Sequence, residues 1–305
     1  MNRLVPADDN GLAAFDSGRT CAVAAQGQRD LQSLVTTYPG LFPSSPFDGA
    51  VFSTLAMANA FSAPTLTAPA LRVVNRASLW AFRIDWLFDH IAAPRTELVA
   101  LARRCVVVAA GATPETDDTV GLLLADIRQD LELRPGFAEL AEAWVEELDR
   151  MFAAMLREWD WKAAGERPTV AAYLDNADNL GSSFVDLSHW LANPEPDTVH
   201  SGLHDLDAVL AATRATQRVI RVVNDLASLD RDRRSGDLNL LLLTPESETP
   251  EPAPDPAALL AELTAGCDTA LVALRGNQPA LADFLHRQVE FCRGFYGRTD
   301  YWGDV

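Results

Sequence analysis

Residues 219–240 read Val-Ile-Arg-Val-Val-Asn-Asp-Leu-Ala-Ser-Leu-Asp-Arg-Asp-Arg-Arg-Ser-Gly-Asp-Leu-Asn-Leu. Up to Gly236 the run contains neither Pro nor Gly and predicts helix. Asn224, Ser228 and Asp232 stand four apart. Four helical residues turn through about 400° and rise about 6 Å, so these side chains climb one face as a shallow stripe. All three carry oxygen donors and two are neutral, a set that suits Mg²⁺, a hard cation that keeps positions for water and phosphate oxygens. Arg231 lies beside Asp232, and Arg233 and Arg234 follow. A ligating stripe that ends in a basic cluster can hold a bridged anion such as a diphosphate. The same spacing also describes an ordinary solvated helix with i,i+4 polar pairs.

The pattern Asn-Asp-x-x-Ser-x-x-x-Asp, followed by Gly236-Asp237-x-Asn239, resembles the second metal motif of class I terpene synthases. Asp232 stands where that family carries Glu, one methylene longer, and Arg231 stands where it carries Lys or Arg. A partner motif is expected upstream. Trp80-Ala81-Phe82-Arg83-Ile84-Asp85-Trp86-Leu87-Phe88-Asp89-His90 supplies one. Asp85 and Asp89 are i,i+4, near the C-terminal end of an apolar helix, where the macrodipole disfavours carboxylates and a cation between them would offset the cost. They match the first and last acids of the family's Asp-Asp-x-x-Asp, with Trp86 in place of the second. The interval from Asp85 to Asn224 is similar to the family's. The resemblance implies that Asp85, Asp89, Asn224, Ser228 and Asp232 bind metal, as Mg²⁺ with three ions.

Two other family positions depart. The usual interval back from Asn224 lands on Asp178 in Tyr173-Leu-Asp-Asn-Ala-Asp-Asn-Leu-Gly181, where the family carries a diphosphate-sensing Arg. Gly181 and Ser182 suit the helix break that lines the cavity, and equally a plain turn. Near the C-terminus, where the family carries Arg-Tyr, Asp300 precedes Tyr301. Arg298 is the expected substitute, with Arg231, as diphosphate ligand. Phe82, one turn before Asp85 on the same face, and Tyr301 are the expected catalytic side chains, Phe82 through its ring face toward a cation. His200 and His204 lack the Glu of a His-Glu-x-x-His site and read as surface residues.

The whole chain agrees with an all-α reading. Its 305 residues are 48% hydrophobic and carry a formal net charge of −18, which argues against general nucleic-acid binding. Cys21, Cys105, Cys267 and Cys292 form no Cys-x-x-Cys, and with no signal peptide in view a cytoplasmic protein with reduced thiols is expected. The longest uncharged stretch, 49–71, is interrupted by Pro64 and Pro69 and predicts buried helix and turn, not a membrane span. Helices are expected near 27–36, 49–61, 68–91, 95–111, 116–132, 137–161, 169–178, 183–191, 201–234, 256–275 and 278–296. Residues 1–25 predict an irregular arm and 244–257 a mobile Pro- and acid-rich loop. The expected architecture is one class I terpene synthase-like domain over 1–305, a bundle of ten to twelve helices around a central cavity.

The resemblance implies a cyclase that ionises a prenyl diphosphate. No Asp-x-Asp-Asp supports a protonation-started cyclase, and the second motif is not the Asp-rich one of chain-elongating prenyltransferases. The weakened first motif and absent sensor look like divergent bacterial diterpene synthases, with a fainter likeness to those making eunicellane-type bicycles. Geranylgeranyl diphosphate is therefore the expected substrate. Farnesyl diphosphate, a labdane-type diphosphate, or a non-catalytic prenyl-diphosphate- or protein-binding bundle are the alternatives. Self-association into a homodimer is left open.

Overall fold

The structure is a computed structural model and describes residues 9–91, 93–195, 202–243 and 255–303. Among them are eleven α-helices, two short 3-10 turns and no strand. In chain order the helices are α1 Asp9–Thr37, α2 Gly49–Ser62, α3 Arg72–His90, α4 Arg95–Ala109, α5 Thr119–Glu132, α6 Phe137–Ala164, α7 Val170–Asp175, α8 Ser182–Ala192, α9 Gly202–Ser235, α10 Pro256–Arg275 and α11 Pro279–Tyr296. The His200 and His204 pair lies outside the described side chains.

Local chemistry sets several starts. Asp48 accepts from Ala50 N at 2.8 Å, and Asp118 accepts from Gly121 N at 3.0 Å. Thr169 accepts from Ala172 N at 3.0 Å, and Asp255 accepts from Ala257 N at 3.1 Å. Each satisfies an orphan donor of a first helical turn. Helix α3 begins later than the sequence suggests, because Pro69 sits in a turn closed by Leu71 N to Thr67 O at 3.1 Å.

Two expectations are corrected. Residues 9–25 are not irregular: they form the first half of α1, one helix of 29 residues. Residues 13–19 are exposed on every face, so no apolar stripe announces the helix, which is anchored by buried Thr20, Ala24, Leu31 and Leu34 and by α2. Of the expected loop at 244–257, residues 244–254 lie outside the described residues, and its end is helix, with Asp255 capping and Pro256 opening α10.

Helix α3 is central, touching α1, α2, α5, α6 and α8. Its Leu79, Trp80 and Ile84 are fully buried. Trp80 packs on Phe152 of α6 and Phe184 of α8, and its indole donates to Val120 O at 3.0 Å. By length and composition α10 is apolar enough to cross a membrane, the one such helix among the described residues. It packs against α9 and α11 through Cys267, Leu271 and Leu274.

Candidate active site

Helices α2, α3, α6, α8, α9 and α11 enclose a cavity of about 410 Å³, within the range of small-molecule sites. Asp85 and Asp89 reach it from α3, and Asn224 and Asp232 from α9. The two oxygen-donor motifs, distant in sequence, thus line one space. Ser228 sits between Asn224 and Asp232 but is buried behind the wall, where its hydroxyl donates to Asp232 Oδ2 at 2.5 Å. Asn239 Nδ2 donates to the same oxygen at 2.9 Å. Asp232 is therefore oriented from two sides.

Phe82 and Tyr301 both line the cavity, their ring centroids 5.2 Å apart. Trp302 packs at 5.2 Å from Phe82 and 5.4 Å from Trp86. Tyr301 is hydrogen-bonded to Cys292, and Tyr296 to Asn224. Gly181, at φ +67°, ends a 3-10 turn and opens α8, and Ser182 lines the cavity. The left-handed backbone favours glycine there, and a Cβ at Gly181 would stand 2.7 Å from Met151 Sδ, so any side chain would also have to displace that thioether.

The structure explains both departures. Asp178 does not line the cavity: it pairs with Arg150 at 2.6 Å and accepts from Gln217 Nε2 at 2.9 Å. Asp300 does line it, in an ion pair with Arg231. Arg298 is exposed and outside the cavity lining, so it is not where a diphosphate ligand would be needed. The turn after α11 carries it outward and brings Asp300, Tyr301 and Trp302 inward instead.

Sequence reasoning missed Glu158, Lys162 and Arg221, and it gave no role to Asp225 and Asp237 although both stand in the quoted motif; all five line the cavity. Lys162 Nζ binds Asp89 and Asp237 at 2.8 Å each, joining α3, α6 and the segment after α9. Arg221 donates to Asn179 Oδ1 at 2.7 Å and to the Tyr173 hydroxyl at 2.6 Å, and it pairs with Asp225 at 3.3 Å. Burial alone would lower its pKa, but Tyr173, Glu158 and Asp225 outweigh that and raise it. Asp225 also accepts from Tyr173 at 2.8 Å and from Leu240 N at 3.0 Å. Burial still pushes its carboxyl up to about 6. The available signal was Arg221 and Asp225, an i,i+4 pair of opposite charge inside an apolar run.

The charge balance favours a cation. Seven carboxylates line the cavity (Asp85, Asp89, Glu158, Asp225, Asp232, Asp237 and Asp300) against Lys162, Arg221 and Arg231. Burial, with Asp89 and Glu158 alongside, holds the Asp85 carboxyl well above the usual carboxylate range. A hard divalent cation would relieve that repulsion, and the donors are all oxygens. Among the described residues no three acids, histidines or cysteines converge to hold a metal alone. The fit is therefore to an ion that shares its shell with neutral donors, water or an anionic ligand.

Residues 76–246 match the family model of terpene synthase family 2, C-terminal metal binding. This chain belongs to that family. The synthase is 27% identical to ent-pimara-9(11),15-diene synthase of Streptomyces sp. (strain KO-3988) over 233 residues, covering 72% of this chain and 74% of that one. It shares its fold with 2-methylisoborneol synthase from Streptomyces coelicolor A3(2), with a TM-score of 0.69 at 17% identity over 93% of this chain and 94% of that one. Linalool/nerolidol synthase from Streptomyces clavuligerus superposes with a TM-score of 0.67 at 17% identity, over 90% and 93% of the two chains. The all-α expectation and the family resemblance are both borne out: the synthase is a bacterial class I terpene synthase in family and fold.

Proposed function

We propose that this terpene synthase is a Mg²⁺-dependent cyclase that converts geranylgeranyl diphosphate to a cyclic diterpene. The observation that carries the reading is the meeting of Asp85 and Asp89 with Asn224 and Asp232 on one cavity, beside an aromatic wall. The C20 choice is supported by the curated relative, whose name denotes a diene of the C20 pimarane skeleton. The metal is supported by the family's description as metal-binding and by a Mg²⁺ complex of the 2-methylisoborneol synthase. In this reading Asp85 and Asp89 would hold two ions and Asn224 and Asp232 a third, with Ser228 joining that third set only if its hydroxyl turned from Asp232 toward the cavity. When bound, Mg²⁺ neutralises the diphosphate and makes it a leaving group.

The chain's own residues do the rest. Arg231, paired with Asp300 on the cavity wall, would offer its remaining guanidinium donors to the phosphate oxygens. Lys162, held between Asp89 and Asp237, keeps the mouth of the cavity together and adds positive charge beside the anion. The wall excludes water, which would quench an allylic cation. Phe82, Tyr301 and Trp302 present rings to the developing charge, each cation–π contact adding about 0.5–2 kcal/mol.

The test is incubation of the purified protein with C10, C15 and C20 prenyl diphosphates, with Mg²⁺ or with EDTA. Diphosphate release and product mass are measured. A cyclic C20 product formed only with Mg²⁺ is expected, and Asn224→Ala should lower diphosphate release by about 100-fold while the helical circular dichroism is kept. A C15 product would overturn the substrate. Undiminished turnover in Asn224→Ala would overturn the metal assignment.

A further inference from the structure

The acids at the mouth of the cavity are engaged with one another and with Lys162, Arg221 and Arg231. One carboxylate stands apart from them. Asp186 of α8 is fully buried, and it accepts from Gln288 Nε2 of α11 at 2.8 Å. Its environment is set by burial and by that hydrogen bond, with no charged group of the mouth acting on it. Gln288 itself lines the cavity, as do Val185 of α8 and Cys292 of α11. Gln288, Cys292 and Tyr296 lie at i, i+4 and i+8, on one face of α11. Tyr296 meets Asn224 at the mouth. Gln288 is therefore about 12 Å further along the helix, at the opposite reach of the cavity wall.

The polar atoms on this seam are not satisfied by protein. Asp186 Oδ2, Gln288 Oε1 and Ser183 Oγ are all buried without a hydrogen-bond partner. Ser183 and Asp186 are i,i+3 on α8, so both face the same side. Buried polar atoms are seldom left unpaired, and a water bridging two to four of them is the usual remedy. An oily substrate chain has no use for such a group unless a proton or a charge must be handled there.

We propose that Gln288 and the Asp186 behind it form the proton-accepting end of the cavity, and this rests on the cyclase reading above. At the end of the cascade a C–H bond next to the cationic carbon breaks, and its electron pair becomes the new C=C bond. The proton passes to a water held between Gln288 Oε1 and Asp186 Oδ2, and from that water to Asp186 in its ionised form, which becomes the neutral acid. It leaves to solvent when product departs. Gln288 is the group that touches substrate, while Asp186 acts through it as a positioning and proton-storing residue. Burial pushes the Asp186 carboxyl up to about 8, so the ionised form that takes the proton is the minor form at neutral pH and the major one above pH 8, and it is a stronger base than an ordinary carboxylate.

The experiment compares products of wild type, Asp186→Asn, Asp186→Glu and Gln288→Leu, each normalised to diphosphate released. Asp186→Asn and Gln288→Leu should divert more than half of the product to alkenes with a different double-bond position, or to alcohols. Asp186→Glu should restore much of the wild-type profile, which a purely structural role would not do. An unchanged profile in both disabling variants overturns the proposal. A crystal structure of the wild-type protein gives a check independent of variant folding: a water bridging Gln288 and Asp186 supports it, and a dry seam overturns it. If wild type releases no diphosphate from any prenyl diphosphate, the cyclase reading fails instead.

Discussion

Burial raises the Asp186 carboxyl from 3.8 to about 8, so folding strengthens its hold on a proton. Between those values the unfolded chain has released the proton while the folded chain keeps it. Stability contributed by this group is thus present below about pH 4 and is lost as pH rises toward 8. Asp186→Asn removes the effect. The melting temperature of that variant should gain on wild type steadily from pH 4 to pH 8 and level off above, read by calorimetry. A constant offset at all pH values would overturn the assignment. The same residue illustrates what sequence can and cannot show at this scale. That Asp85 and Asp89, and Asn224 and Asp232, share a face was legible because four-residue spacing on a helix fixes it, whereas Ser228, on the same stripe, is buried behind the cavity wall. Asp186, Glu158, Lys162 and Arg221 were not legible, because each owes its role to a partner on another helix: Gln288, Asn179, Asp89 and Tyr173.

At the scale of elements, helix ends did most to set the site. The break at Gly181 puts Ser182 and Val185 on the cavity wall and aims α8 at α11. Gly181→Ala forces a Cβ into a left-handed backbone 2.7 Å from Met151 Sδ. The expected cost is about 1–3 kcal/mol by urea denaturation, with an accompanying loss of turnover. A variant as stable and active as wild type would show that the turn adapts. The break was readable from Gly181 itself, and most helices from their Pro and Gly boundaries. The first half of α1 was not, since an exposed helix with Gly11 and Gly18 carries no apolar period. It is helical because its second half packs on α2 and propagation continues outward.

For the whole molecule, the excess of acid at the cavity and the net charge of −18 mean that an anion alone should bind poorly. Mg²⁺ and inorganic diphosphate together should raise the melting temperature by several degrees, since a ligand at 100 times its Kd adds about 2.7 kcal/mol. Either component alone should do much less, and EDTA should erase the shift. An equal shift with diphosphate and EDTA would contradict metal-bridged binding. By itself the sequence determined the helical class, most helix boundaries and the two oxygen-donor motifs, because periodicity, capping and i,i+4 spacing are properties of a single helix. Only the tertiary structure decided that Arg231 meets Asp300 and that Arg298 faces solvent. It alone also put Lys162 across the mouth and Asp186 behind Gln288. Those pairings join residues on different helices, and they depend on how the helices pack and on which side of a turn each residue falls.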